Sequence, residues 1–128
     1  MVTVAAGCAM AAAGTAVAAP PPTKAPESAL LLSVRQGEHP RPNSDEALLL
    51  CQPSGGSHPS AARACAQLAR QHGKVAEVRL PSKRPCVLIY APVTVTASGT
   101  WHGRPIHYTE TFGNACMLHT TKGAIFRF

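Results

Sequence analysis

An α+β fold, an antiparallel sheet with segregated helices, is what the 128-residue sequence predicts. Three observations carry this. Val93–Ser98 and Ile106–Phe112 alternate along their length and flank a turn at Gly103, the pattern of a long β-hairpin. Ala61, Ala64, Cys65, Leu68 and Ala69 recur at helical spacing and mark one apolar helix face. The remaining short runs give the order β, β, α, β, β, α, β, which lacks the regular βαβ alternation of a parallel sheet.

Taken in order, Met1 to Ala18 is uncharged, rich in small apolar residues and ends in Ala16-Val17-Ala18, an A-x-A cleavage pattern. Residues 1–18 therefore read as a signal peptide cleaved before Ala19. The basic stretch that opens such segments is missing, which leaves room for a start upstream of Met1. A lipoprotein with Cys8 as its acceptor, or a buried Ala-rich helix, are the other readings. Residues 19–28 form a Pro-rich leader with no means of packing, and the domain spans 29–128. Ala29–Val34 and Glu46–Cys51 are short apolar runs suited to strands, joined by a polar loop carrying Gly37, Pro40 and Pro42. Residues 51–59 read as a turn, and Pro59 is placed to open the helix that Gly73 closes as its C′ residue. A short helix is expected between Asn114 and Gly123, and a last strand over Ala124–Phe128.

Composition excludes several classes. Charged residues are 14% of the chain, about half the usual share, which argues against a coiled coil or a solvated helical bundle. No run after residue 18 approaches the roughly 18 apolar residues of a membrane helix, and no membrane partner is expected. Twelve Lys and Arg against six Asp and Glu give a net charge of +6. The cations Arg35, Arg41, Arg63, Arg70, Lys74, Arg79, Arg104, Lys122 and Arg127 are scattered, only Lys83 and Arg84 are adjacent, and aromatic residues are 5%. Nucleic-acid binding is therefore not expected, and the basic residues read as solubility. Of five cysteines, removal of Cys8 with the signal leaves Cys51, Cys65, Cys86 and Cys116, an even set suited to disulfides in an oxidising compartment. Four cysteines permit three pairings.

Cys51-Gln-Pro53-Ser-Gly-Gly56-Ser-His58-Pro59, followed by Ala64-Cys65 and Leu68, resembles the signature of the Streptomyces-type subtilisin inhibitors. Cys86-Val-Leu88-Ile89-Tyr90-Ala-Pro92 is similar to that family's protease-binding loop. Trp101, Gly103, Tyr108, Phe112, Asn114-Ala-Cys116 and Phe126-Arg-Phe128 also match, so the resemblance covers about residues 28 to 128. It implies disulfides Cys51–Cys65 and Cys86–Cys116, a twisted antiparallel sheet of about five strands with two helices, and a homodimer. It also implies secretion and reversible, tight-binding inhibition of subtilisin-like serine proteases. Leu88–Ile89 would be the reactive bond, within a loop of Pro85, Cys86, Val87, Tyr90 and Ala91. Three positions depart from the family pattern: Val87 stands where Pro is common, Pro85 where a larger apolar residue is usual, and Ala91 where Asp is usual.

The residues of the loop suit this role on their own. Pro85 and Pro92 restrict its backbone, and Cys86 lies two residues before Leu88, where a disulfide would anchor it. An ordered extended segment pairs with a protease groove through main-chain hydrogen bonds. Leu88 suits the large apolar pocket of subtilisin or chymotrypsin rather than the acidic pocket of trypsin. Leu88 and Ile89 would also suit the core of a strand, but the flanking Pro and Cys argue for a loop.

Three other functions compete with inhibition. His39, His58, His72, His102, His107 and His119 form no HxxxH pair and the cysteines no CxxC, so no metal or other cofactor is expected. An enzyme would need a free thiol beside a base, a GxSxG turn or paired carboxylates, and no catalytic residue is expected. A secreted binding protein of the same fold that has lost inhibition is the alternative the departures at Pro85, Val87 and Ala91 leave open.

Overall fold

The computed structural model describes residues 7–15, 24–39, 44–81 and 84–128. The expected cleavage site at Ala18, the first half of the Pro-rich leader, Pro40, Pro42 and Lys83 lie outside the described residues. Five strands form one antiparallel sheet: β1 (Ser28–Gln36), β2 (Asp45–Cys51), β3 (Gly55–Gly56), β4 (Val93–Trp101) and β5 (Arg104–Phe112), in the spatial order β3-β2-β1-β4-β5. Two helices, α1 (Ala61–Ala69) and α2 (Ala115–Lys122), complete the α+β architecture, with a single 3₁₀ turn at Val75–Glu77.

Alternation along the strands fixes which side is buried. Leu30 and Leu32 of β1, Ala47 and Leu49 of β2, and Val93, Val95 and Ala97 of β4 all point inward. Trp101 at the end of β4 is buried with them. On the opposite face Leu31 pairs with Leu48 on one side and Ser98 on the other, and both leucines stay exposed. Leu68 and Ala64 of α1, Leu118 of α2, and Ile125 and Phe126 complete the core.

The two disulfides are Cys51–Cys65, which ties β2 to α1, and Cys86–Cys116, which ties the segment before β4 to α2. The loop-entropy model assigns each roughly 3 to 4 kcal/mol.

Several elements depart from the sequence reading. Helix α1 starts at Ala61 with Ser60 as N-cap, so Pro59 sits in the preceding turn. Gly73 lies beyond the end of α1, after a turn through Gln71 and His72, and it is glycine for a further reason. Its φ is 79° and a Cβ there would stand 2.1 Å from Cγ of Trp101, so the indole ring fills the space. Gly56, expected in a loop, forms β3, where a Cβ would meet the carbonyl oxygen of Leu48 at 2.2 Å. The expected strand over Ala124–Phe128 is instead a turn, closed by Ile125 N–H to Lys122 O at 3.4 Å and Arg127 N–H to Ala124 O at 3.2 Å. A strand would send Ile125 and Phe126 to opposite faces, whereas the turn buries both. The fifth strand of the sheet is thus β3.

Lys122, read from sequence as one of the scattered soluble charges, is fully buried. Its Nζ donates to the carbonyls of Val75 at 2.7 Å, Ala76 at 3.3 Å and Val78 at 2.8 Å. Glu110 lies 3.8 Å away and the Tyr108 ring 5.2 Å away. Burial pushes the ammonium below the usual lysine value, against the opposing pull of the Glu110 carboxylate. Burial and the bond to Glu110 push the Tyr108 hydroxyl well above the usual tyrosine range, so it donates rather than ionises. Replacing Lys122 by Met keeps the apolar stem but takes a donor from three carbonyls, of which Val75 O keeps the Val78 N–H. We expect Lys122→Met to lower unfolding free energy by about 3 kcal/mol, read from the urea midpoint at unchanged slope. A loss below about 0.5 kcal/mol would show that the carbonyls find other partners.

Candidate functional site

After the 3₁₀ turn the described chain carries no helix or strand until β4, and residues 84–92 form a loop at the N-terminal end of α2. Its apolar side chains face solvent: Leu88 is 89% exposed, Val87 73%, Tyr90 70% and Ile89 64%. In a chain with 5% aromatic residues, leaving four large side chains out of the core is a sizeable loss of available burial. A contiguous exposed apolar patch of this kind marks a binding surface.

The backbone under those side chains is fastened from several directions. The Cys86–Cys116 bond fixes the entering leg to α2, with the two Cα atoms 5.8 Å apart. Ala91 N–H donates to Gly113 O at 2.8 Å, and Gly37 N–H donates to Pro92 O at 2.8 Å, fixing the leaving leg. The Tyr90 hydroxyl donates to the Glu38 carboxylate, and this bond pushes the phenol above its ordinary value.

Between the legs stands Asn114. Its Nδ2 donates to the carbonyls of Val87 and Ile89, both at 3.0 Å, bracketing Leu88. Its Oδ1 accepts the N–H of Met117 at 2.9 Å, making Asn114 the N-cap of α2. One buried amide thus satisfies the helix start with its oxygen and holds the loop with its nitrogen. A carboxylate could not do both, because an ionised oxygen only accepts.

The expected loop residues Pro85, Cys86, Val87, Leu88, Ile89, Tyr90 and Ala91 come together here, and the described hydrogen bonds leave Leu88 itself unfastened. Ala91, which stands where the family pattern has Asp, contributes its backbone N–H. Sequence reasoning missed the role of Asn114, seen only as the start of a short helix and part of a matching motif. The available signal was an Asn directly before a helical stretch and two residues before Cys116. His58, expected in the turn before α1, accepts Ser60 N–H at Nδ1 (2.9 Å) and bonds Ile125 O through Nε2 at 2.8 Å, a structural role. Among the described residues no group of three His, Cys, Asp or Glu could hold a metal, and no helix is long and apolar enough to cross a membrane. Cys8 is the free cysteine of the described residues.

The subtilisin inhibitor-like family model matches residues 26–114, a span that includes the loop and Asn114. The chain belongs to the subtilisin inhibitor-like family. Among its relatives, subtilisin inhibitor-like protein 5 of Streptomyces fradiae is 40% identical over 104 residues, 79% of this chain and 97% of that protein. The subtilisin inhibitor of Streptomyces violaceus is 42% identical over 126 residues, 93% of this chain and 86% of that protein. The fold is similar to Streptomyces caespitosus sermetstatin, solved in complex with Bacillus licheniformis subtilisin, at a TM-score of 0.66 and 28% identity. That match covers 79% of this chain and 98% of sermetstatin.

Two substitutions separate the roles of Asn114. Asn114→Ser keeps a capping oxygen but cannot reach both loop carbonyls; Asn114→Ala loses both functions. We expect hydrogen exchange and backbone relaxation to show a mobile 87–89 segment in both variants. Serine should cost about 1 kcal/mol less stability than alanine. Unchanged loop dynamics in both would remove Asn114 as its anchor.

Proposed function

We propose that the chain is a secreted, reversible, tight-binding inhibitor of subtilisin-like serine proteases. Residues 84–92 enter the protease active site like a substrate, with Leu88–Ile89 as the reactive bond. The observation that carries this is the contrast at the loop: Leu88 is 89% exposed while the carbonyls on either side of it are held by one buried amide. Family membership and the likeness to an inhibitor bound to subtilisin support the same reading.

The chemistry follows from the anchors. A preformed loop loses little conformational entropy on binding, and its exposed apolar side chains bury area against the groove. The protease serine attacks the Leu88 carbonyl carbon, and cleavage frees an amine on Ile89. That amine stays in place because Ile89 O is held by Asn114 and Ala91 N–H by Gly113. The acyl side stays in place through Cys86–Cys116 and Val87 O. Religation then competes with hydrolysis at the high effective concentration of a tethered nucleophile. This chain supplies no catalytic group to the reaction; the protease supplies all of it. Chymotrypsin-like enzymes, which share a large apolar primary pocket, fall within the same target chemistry. The two disulfides fit export to an oxidising compartment, for which residues 1–18 are the signal. Exposed Leu31 and Leu48, paired across β1 and β2, are the centre we assign to a homodimer contact.

Titration of the purified protein against subtilisin should give stoichiometric inhibition, with slow nicking confined to Leu88–Ile89. Leu88→Lys should move inhibition toward trypsin by at least about tenfold. Unchanged specificity would reject Leu88 as the primary contact. An intact chain with no inhibition would mean the fold serves another secreted partner.

Leu31→Glu places a charge at the centre of the outer face without touching the loop. Sedimentation should show a monomer that still inhibits subtilisin; an unchanged mass would place any dimer contact elsewhere.

A further inference from the structure

Beside the disulfide that fixes the loop lies a concave pocket of about 530 Å³, which shares Arg84 with the loop but none of its four exposed apolar side chains. Four basic side chains from four separate parts of the chain converge on it. Arg63 comes from α1, Arg84 from the entering leg of the loop, His119 from α2 and Arg127 from the C-terminal segment. Gln67 and Thr120 add polar groups, and no Asp or Glu is among its described lining residues. The sequence hides this cluster, because its members are spread from residue 63 to residue 127.

The pocket is organised rather than a chance meeting of surface cations. Arg127 Nε donates to Gly123 O at 3.2 Å, which orients its guanidinium along the pocket wall. Gln67 Oε1 accepts Ala124 N–H at 2.9 Å, which fixes the side-chain amide against Gly123 in the pocket lining. We infer that this pocket binds a compact multivalent oxyanion of the phosphate or sulfate class, held by Arg63, Arg84, His119 and Arg127. Guanidinium forks match tetrahedral oxyanions bidentately, and converging donors in a concavity favour a small ion over a flat protein surface. Burial first, and Arg127 second, hold the His119 imidazole below its ordinary value, a sign of positive potential inside the pocket. The charged groups around it are Arg63, Arg84 and Arg127 in this pocket, with Asp45 and the C-terminal residue Phe128 in the adjoining cleft that His119 and Arg127 also line. A bound anion reverses that potential, so binding takes up a proton at His119 and strengthens as pH falls. This inference is independent of the inhibitory reading.

The test is an NMR titration of the ¹⁵N-labelled protein with inorganic sulfate and with pyrophosphate at low ionic strength. Saturable shifts should fall on the side chains of Arg63, Arg84, Arg127 and His119, with pyrophosphate the tighter ligand. Arg63→Gln and Arg127→Gln, both at exposed positions, should each weaken binding about tenfold or more, while Lys74→Gln should leave it unchanged. Sulfate keeps its charge between about pH 8 and about pH 5.5, so tighter sulfate binding at the lower pH reports protonation of His119. Non-saturating shifts spread over surface Lys and Arg would overturn the proposal, as would saturable binding indifferent to both arginine variants. Absence of ion binding, combined with a salt-dependent loss of subtilisin affinity in Arg63→Gln, would overturn it in favour of an acidic protein surface as the ligand.

Discussion

The buried ammonium of Lys122 holds α2 to the 3₁₀ turn at Val75–Glu77, and the geometry of the loop depends on that attachment. Helix α2 has only 8 residues and a weakly amphipathic sequence, too short to be stable alone. It is fixed at its C-terminal end by Lys122 and at its N-terminal end by Asn114 and the Cys116 disulfide. The Lys122 cage also holds the stretch that leads toward the loop, so one side chain positions both the helix and the chain entering the site. A bare buried charge would be costly; three carbonyl acceptors and a nearby carboxylate offset that cost.

The loop reverses the usual relation between burial and order. Its side chains make few contacts, yet its backbone is fastened by a disulfide, an amide and two main-chain bonds. Rigid backbone with free apolar side chains is what substrate-like binding needs, since the entropy of ordering is lost on folding and not again on association. The same rigidity would keep the ends of a cleaved bond together. Order and exposure therefore come from separate residues: Asn114, Cys86 and Gly113 supply the first, Val87 to Tyr90 the second.

Much of this was legible in the sequence. The hairpin of β4 and β5 and the apolar face of α1 follow from local periodicity, which requires no knowledge of neighbours. The exposed loop was legible because Pro85, Pro92 and Cys86 interrupt an apolar run that would otherwise read as core. Other features were not. Ala124–Phe128 has the residues of a strand, but the core decided otherwise, since only a turn turns Ile125 and Phe126 to the same side. Gly55–Gly56 carries no strand signal and pairs because β2 offers Leu49 and Leu50 as partners.

Sequence by itself determined the fold class, the even cysteine set, and the placing of Leu88–Ile89 in a loop, because each rests on neighbouring residues or on a recurring spacing. Tertiary structure alone decided that Lys122 is a buried clamp rather than a soluble charge, that Asn114 reaches 25 and 27 residues back to hold the loop, and that Arg63, Arg84, His119 and Arg127 share one pocket. The physical reason is common to all three. A polar side chain takes its function from the groups facing it, and those come from distant parts of the chain that only the packed core brings together.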